Sequence, residues 1–227
     1  MKSTVVFCIV LLRCTITFQE KGKMEGKMFS FPEEHSTSFV KLKPLVSKNL
    51  TSASVCLRFY TDQVDGQVSA FFSLSAPGQP SAFTILRHMP SRTYPQQYEL
   101  HVGNKPVFFN GLEYTLNKWN SLCATWDGSS GMAQVNINGK RSVRKMTKAG
   151  LSIGERPSIV LGRHQDGYAE GFVGHMTDVH IWDYVIPSSE IDNYGGGGFV
   201  AYKAGNYLNW SKVEYTVNGT VLVEGKM

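Results

Sequence analysis

The chain carries several side chains that could do acid–base or nucleophilic chemistry, but they are scattered along it. The carboxyl groups of Glu113, Asp127, Asp178 and Asp183 lie far apart in sequence. Hydrolysis of a glycosidic bond needs two carboxyl groups roughly 5–10 Å apart that flank the bond. No strand-like segment presents such a pair on one face, and no Gly-x-Ser-x-Gly elbow occurs. We therefore predict that the protein is not an enzyme.

The histidines suggest a zinc site only at first sight. Three of them, His164, His175 and His180, lie close together in the chain. Their spacing matches no recognised set of zinc ligands. The interval of five residues between His175 and His180 also places them on opposite faces of a strand. We expect surface or hydrogen-bonded histidines and no zinc.

The first residues resemble a secretory leader. Lys2 precedes an apolar run from Thr4 to Leu12 that is too short to span a bilayer. We predict a signal peptide over residues 1–17 and a secreted, extracellular protein without a transmembrane segment. Two of the four cysteines then lie in the leader, which leaves Cys56 and Cys123 as one pair. Their disulfide would close a loop of about 66 residues, worth roughly 4 kcal/mol.

The charge of the chain gives no reason to expect nucleic-acid binding. Removal of the leader lowers the formal net charge from +5 to +3. A basic run that contains Lys140, Arg141 and Arg144 is the main cationic feature. It is either a solvated hairpin face or a patch that binds an anionic partner.

The elements that must position these residues are short strands. The centre is the segment 121–139, a strand with Cys123, a turn, and an alternating strand that ends in Asn138-Gly139, a strong hairpin signal. Further strands are expected through the chain, with a loop over residues 75–81, a strand pair within residues 172–183 and a hairpin turn at Asn218-Gly219. Pro187-Ser-Ser-Glu begins the best helix. The pattern predicts an all-β two-sheet sandwich with one short surface helix.

The run Leu122-Cys-Ala-Thr-Trp makes the interpretation specific. Together with Phe29-Ser-Phe-Pro, Val55-Cys-Leu-Arg-Phe-Tyr, Val160-Leu-Gly and Leu208-Asn-Trp, in this order, the chain resembles the short pentraxins. The resemblance implies a lectin-like jelly roll over residues 28–227. The charged, glycine-containing segment before it, residues 18–27, is expected to be a mobile N-terminus. The resemblance also implies a homo-oligomeric ring, usually a pentamer. One face of the ring would bind ligands through calcium, and the other could recruit complement.

The calcium site that the resemblance implies is incomplete in this chain. Asp166 and the carbonyl of Gln165 match the family's acidic loop, and Glu170 is the candidate for its second glutamate. The loop's first glutamate is replaced by His164. Calcium prefers six to eight oxygen ligands, several of them carboxylates. We expect one weak site or none in place of the family's paired ions.

The ligand pocket that the resemblance implies is altered as well. The family's Asp-Asn pair falls near Pro80 and Ser81, and the glutamate that meets choline falls near Pro106. Leu86 remains as an apolar residue that could pack on the ligand.

We predict a secreted pattern-recognition protein that binds phosphocholine, glycan or other anionic surfaces by multivalency. The alternative is a calcium-independent structural or interaction protein that uses Lys140, Arg141 and Arg144. Of three Asn-x-Ser/Thr sequons, we predict glycosylation at Asn49 and Asn218.

Overall fold

A computed structural model describes residues 18–21, 23–64, 68–88, 96–165, 167, 169, 171–196 and 201–227. For residues 18–21 it describes the backbone alone. Seventeen strands, one α-helix and one short 3-10 helix (Trp210–Lys212) make up the regular structure of these residues. The predicted leader, residues 1–17, lies outside them.

In chain order the strands are β1 (Phe18–Lys21), β2 (Lys27–Phe31), β3 (Phe39–Lys43), β4 (Ser52–Tyr60), β5 (Val68–Ala76), β6 (Gln79–His88), β7 (Gln97–Val102), β8 (Lys105–Asn110), β9 (Asn120–Asp127), β10 (Met132–Ile137), β11 (Lys140–Arg141), β12 (Lys145–Met146), β13 (Ser158–Leu161), β14 (Gly174–Trp182), β15 (Leu208–Asn209), β16 (Glu214–Asn218) and β17 (Leu222–Gly225). The helix α1 spans Ser188–Gly195 and lies between β14 and β15 in sequence.

Two antiparallel sheets pack face to face. One has eight strands in the order β1-β16-β3-β13-β5-β6-β7-β8. The other has nine strands, with the path β11-β10-β9-β4-β14-β2-β17, β12 beside β10 and β15 beside β14. The predicted all-β sandwich with one short helix is confirmed. Within the described residues, no helix is long and apolar enough to cross a membrane.

Successive side chains of β4 point to opposite faces of the nine-stranded sheet, and both faces are buried. Val55, Leu57 and Phe59 point into the large core between the sheets. Cys56 points to the opposite face and is also fully buried. It belongs to a second, smaller core with Tyr194 and other residues of the helical segment. Helix α1 therefore covers apolar surface on the outer face of the nine-stranded sheet.

The central hairpin forms as the sequence predicts. Strands β9 and β10 pair over Leu122–Asp127, and the following turn has φ 50° at Asn138 and 81° at Gly139. Positive φ at both residues is the requirement of a type I′ turn. The Asn138 side chain reinforces the turn, because its Oδ1 accepts a hydrogen bond from the Ser121 N–H at 2.8 Å.

The segment expected as a mobile N-terminus, residues 18–27, is organised differently. Strand β1 pairs with β16 and so adds a strand to the edge of the eight-stranded sheet. Met24 is fully buried in the large core. Backbone pairing and apolar burial attach this segment to the sandwich, which the charged, glycine-containing sequence did not indicate.

Two turn predictions were wrong. The loop expected over residues 75–81 is a tight turn at Pro77-Gly78, because Ala76 already pairs with Gln79 and φ of Gly78 is 74°. The turn at Asn218-Gly219 does not close a hairpin. It carries the chain from β16 in one sheet to β17 in the other.

The strand pair predicted just before the helix was also wrong. Residues 172–183 contain one long strand, β14, whose register shifts where Asp178 adopts φ 54°. This register shift is a β-bulge, which interrupts the alternation of side chains within a single strand. At the start of α1 the cap residue is Pro187, and no side chain caps the helix. The helix start that the sequence predicts at Pro187-Ser-Ser-Glu is confirmed, since α1 begins at Ser188.

Candidate functional site

An open cleft lies at one end of the eight-stranded sheet. Its volume is about 450 Å³, within the range typical of ligand sites. Strands β6, β7 and β8, the β7–β8 turn and the loop after β13 all contribute to its walls. The lining residues are Pro80, Ser81, Glu99, His101, Asn104, Pro106 and His164.

The β7–β8 turn fixes one wall of the cleft. Gly103 and Asn104 have φ of 57° and 65°, as a two-residue hairpin turn with the sheet's twist requires. The backbone N–H of Asn104 donates to the Ser81 carbonyl at 3.0 Å. The Asn104 Oδ1 in turn accepts from the Ser81 N–H at 2.9 Å. These reciprocal bonds hold the tip of the turn against β6.

A buried carboxylate between two imidazoles forms the floor. Glu99 is 2% exposed. Its Oε1 lies 2.6 Å from His101 Nε2, and its Oε2 lies 2.5 Å from His88 Nε2. Burial by itself would raise the pKa of this carboxyl, but the hydrogen bonds from His101 and His88 and their charge outweigh it and lower the pKa to about 2. Glu99 is therefore ionised at neutral pH.

His164 stands opposite this group. Its Nε2 lies 3.1 Å from the Ser81 hydroxyl, and its ring centre is 6.1 Å from that of His101. Burial and, after it, the neighbouring His101 lower the pKa of His164 to about 4. The imidazole is consequently neutral at physiological pH and acts as a hydrogen-bonding group without charge.

The predicted calcium residues are only partly within the described chain. Asp166 and Glu170 lie outside the described residues. The side chain of Gln165 is occupied in attaching its loop to the sheet: Oε1 accepts from the Ser75 hydroxyl at 2.8 Å, and Nε2 donates to the Ser158 carbonyl at 2.8 Å. The Gln165 side chain is therefore already used within the fold, and the calcium prediction depends on its backbone carbonyl.

The described donors of the cleft do not fit a paired calcium site. They offer one carboxylate, Glu99, and each of its oxygens already accepts a hydrogen bond from a histidine. The remaining groups are imidazole, hydroxyl and amide, and imidazole is a poor ligand for a hard cation. Among the residues that the structure describes, no group of three or more His, Cys, Asp or Glu side chains is arranged to hold a metal ion.

The predicted ligand residue Leu86 is misplaced. It is fully buried and does not line the cleft. On strand β6 it pairs in register with Glu99, so the two side chains lie next to each other on the same face of the sheet. In contrast, Pro80, Ser81, Pro106 and His164 all line the cleft. The positions at which the sequence departs from the family pattern thus meet in one place.

Sequence reasoning missed the group formed by Glu99, His88 and His101. Two of its members stand two residues apart on one strand, which puts both side chains on one face. His88 pairs in register with Gln97 on the neighbouring strand, diagonal to Glu99. A Glu-x-His strand was the available signal, but its histidine partner 11 residues earlier becomes visible only from the register.

The predicted disulfide is confirmed. Cys56 and Cys123 stand opposite each other on β4 and β9 and are bonded. Both are buried in the small core beneath α1. The bond therefore joins two central strands of the nine-stranded sheet and serves the scaffold, away from the cleft.

The basic residues do not form one continuous patch. Arg141 makes an ion pair with Asp192 on α1, with 2.5 Å between its Nη2 and a carboxylate oxygen. Arg144 instead lines a second cleft, of about 460 Å³, between the β9–β10 hairpin and the start of α1. The pairing of Arg141 weakens the anion-binding alternative, since one of its three cations is neutralised within the chain.

The other predicted sites are dispersed. His175 bonds to the Ser30 hydroxyl at 2.8 Å, and the buried His180 accepts a hydrogen bond from the Gly205 N–H at 3.2 Å. Among the sequons, Asn49 lies in an exposed loop, whereas Asn218 is half-buried at the end of β16.

Comparison with known proteins identifies the fold and the family. The family model described as "Pentaxin family" matches residues 27–225. The chain belongs to the pentraxin family. It is 35% identical to C-reactive protein of Sus scrofa over 227 residues, which covers 97% of this chain and 96% of that one. It is 31% identical to Jeltraxin of Lepidobatrachus laevis, with 98% and 96% covered.

A solved pentraxin shares the fold. The native heptameric SAP-like pentraxin from Limulus polyphemus superposes with a TM-score of 0.78 and 19% identity, over 89% of this chain and 96% of that one. The family suggested by the ordered motifs and the lectin-like jelly roll are both confirmed.

Proposed function

We propose that this pentraxin is a secreted, non-enzymatic recognition protein that binds repetitive ligands through the cleft at Glu99. The observation that supports it best is the cleft itself: an open volume of about 450 Å³ with imidazole, hydroxyl and amide groups converging on it. An apolar or flat surface would offer no such polar recognition. Glycan- or phosphocholine-bearing surfaces are the ligand class that we propose.

We further propose that the cleft contacts its ligand directly and without a paired calcium cluster. The described donors support this reading, because the buried carboxylate of Glu99 is already satisfied by His88 and His101. A metal that used Glu99 would have to displace at least one of those imidazoles. Calcium held by Asp166 and Glu170 remains the competing prediction, and the experiment below separates the two.

Multivalency requires an assembly, and two opposite edges of the nine-stranded sheet carry exposed apolar side chains. Val143 and Met146 beside β12 are 69% and 56% exposed, and Leu222 on β17 is 52% exposed. We propose a ring in which the β10–β12 edge of one copy meets the β17 edge of the next. Such head-to-tail contacts are what a closed cyclic ring uses. The heptameric relative supports a ring, whereas five subunits remain the prediction of the resemblance.

The proposal is tested by retention of the purified protein on beads that carry phosphocholine or neutral glycans, with and without a calcium chelator. We expect binding that persists with the chelator. Binding that disappears with the chelator, and also in Asp166→Ala, would contradict the direct mode and restore the calcium prediction.

A matched pair of variants assigns binding to the cleft. Pro106 lines it and is exposed on the edge strand β8, so Pro106→Trp should fill it and abolish retention. Asn110 is exposed on the same strand and face, roughly 13 Å further along, so Asn110→Trp should retain binding. If Pro106→Trp binds normally while Lys140→Glu and Arg144→Glu lose a salt-sensitive interaction, the basic-residue alternative is correct.

A further inference from the structure

The dipeptide Asn-Gly occurs at three places in the chain, at residues 110–111, 138–139 and 218–219. Asn-Gly is the dipeptide most prone to spontaneous deamidation, because glycine has no Cβ to keep the asparagine side chain away from the next backbone nitrogen. Residue identity alone therefore predicts the same reactivity at all three sites. The structure gives them three different environments.

The reaction needs no enzyme. The backbone nitrogen of the glycine loses its proton and attacks Cγ of the asparagine side chain, so that an N–Cγ bond forms and ammonia leaves. Water then opens the resulting succinimide ring at either of its carbonyl groups, which gives aspartate or isoaspartate. The net change is a gain of water and a loss of ammonia. Attack requires Cγ to rotate onto the next nitrogen, so hydrogen bonds that hold the side chain or the glycine N–H slow the reaction.

Asn138-Gly139 is held at both reacting groups. The Asn138 Oδ1 accepts from the Ser121 N–H at 2.8 Å, and its Nδ2 donates to Asn120 Oδ1 at 2.7 Å. The Gly139 N–H donates to Asn136 Oδ1 at 3.1 Å. Attack at this exposed turn would break all of these bonds, so the hairpin protects its own asparagine.

Asn218-Gly219 is restrained by packing. Asn218 is half-buried, and its Nδ2 lies 3.5 Å from the Thr216 carbonyl oxygen. The following turn packs on buried Ser38: the Thr220 N–H donates to the Ser38 hydroxyl at 3.3 Å, and a Cβ built on Gly219 would lie 2.5 Å from the same oxygen. The chain at this crossing between the sheets has little room to bring Cγ onto the Gly219 nitrogen.

Asn110-Gly111 has neither kind of restraint. Both residues are exposed, and Asn110 is the last residue of β8, an edge strand of the eight-stranded sheet. Among the described residues, the Asn110 side chain has no hydrogen-bond partner. Space around Gly111 is open, since a Cβ built there would meet no heavy atom within 4 Å. The end of an edge strand also opens more readily than its centre.

We propose that Asn110 is a site of spontaneous deamidation, and that the fold directs this reaction to Asn110 in preference to Asn138 and Asn218. The product carries one additional negative charge per subunit at the end of β8. Where isoaspartate forms, the backbone is also longer by one carbon atom, which should weaken the pairing of residue 110 with Gln97. The inference concerns the chain itself and is independent of the ligand that the cleft binds.

The test follows all three sites in one sample by peptide mapping. Folded protein produced without N-linked glycans is kept at 37 °C and pH 8 in water enriched in oxygen-18, and the fraction of aspartate plus isoaspartate is measured at each site over several weeks. Digestion in ordinary water ensures that the heavy oxygen marks conversion during the incubation. We expect Asn110 to convert at least about tenfold faster than Asn138, because each hydrogen bond at Asn138 contributes a severalfold factor. Asn218 should lie between them.

Protein unfolded in guanidinium chloride supplies the internal reference. There the three sites share the same next residue and have none of the native bonds, so their rates should agree within about threefold. Asn110→Gln, whose longer side chain disfavours ring closure, should abolish the fast conversion in the folded protein. The matched control Asn49→Gln alters an exposed asparagine that leucine follows, and it should leave the conversion unchanged.

Several results would overturn the inference. One is conversion of Asn138 or Asn218 as fast as that of Asn110 in the folded protein. Another is a folded protein in which all three sites stay unmodified while the unfolded chain reacts. A third is the same spread of rates in the unfolded chain, which would show that the fold does not direct the reaction. Circular dichroism throughout the incubation identifies the samples in which the protein is folded.

Discussion

His180 should make the fold sensitive to acid, for reasons that its environment supplies. The ring is buried on β14, where Nδ1 accepts from the Gly205 N–H at 3.2 Å and Nε2 lies 3.2 Å from the Tyr202 hydroxyl. Both bonds suit the neutral ring with its hydrogen on Nε2. A proton added at Nδ1 would face the Gly205 N–H, and two donors would then oppose each other.

The size of the effect follows from the pKa. Burial lowers the pKa of His180 from 6.5 to about 4, although Asp178 partly opposes the change. The folded pKa lies below the unfolded one, so the neutral ring contributes stability that is present above pH 6.5 and lost as the pH falls towards 4. At about 1.4 kcal/mol per pH unit, this interval corresponds to roughly 3 kcal/mol.

The assay compares urea unfolding of the wild type and His180→Gln between pH 7.5 and 4, at one protomer concentration so that assembly contributes equally. Gln keeps a hydrogen-bonding side chain but does not titrate. We expect the wild type to lose about 3 kcal/mol relative to the variant across this range, with faster hydrogen exchange at the Gly205 amide in acid. A constant difference between the two proteins at every pH would refute the reasoning, because His180 would then carry no acid-labile stability.

Three further predictions concern the scaffold and the assembly. Cys56→Ser should lower the free energy of unfolding by about 4 kcal/mol, since the bond to Cys123 spans 67 residues, and unchanged denaturant midpoints in oxidised protein would contradict this. Gly162→Ala should cost about 2 kcal/mol or more in urea unfolding, because φ is 79° and the new Cβ would lie 2.3 Å from the Phe31 ring; a loss below about 0.5 kcal/mol would show that the ring yields freely. If the proposed ring forms, Val143→Glu should shift it towards smaller species in light scattering without lowering the melting temperature of the subunit, and an unaltered mass would place the contact elsewhere.

The strands were predictable wherever one local rule determined the structure. The period-two pattern in β4 identified which side chains face the core, and Asn138-Gly139 identified the turn after β10, because both depend on neighbours in sequence. The tight turn at Pro77-Gly78 was missed for a related reason. Two prolines and a glycine within a few residues indicate irregular backbone, yet only pairing with the partner strand shows how far the strands continue.

The same distinction applies to the cleft. The departures from the family pattern at Pro80, Ser81, Pro106 and His164 were visible in the sequence, and all four residues line the cleft. The altered ligand chemistry that they indicate stays a prediction. What replaces the missing carboxylates was not visible. Glu99, His88 and His101 become one hydrogen-bonded group only when β6 and β7 are placed in register.

The amino-acid sequence was enough to predict the family, the sandwich, the disulfide partners and the departures from the family's calcium loop. Each of these is encoded in residue identity and spacing along the chain. The tertiary structure alone decided that Leu86 is buried, that Arg141 is paired, and that one buried carboxylate holds two histidines at the cleft. These properties depend on which strands become neighbours, and a side chain's burial and protonation are set by neighbours that are distant in sequence.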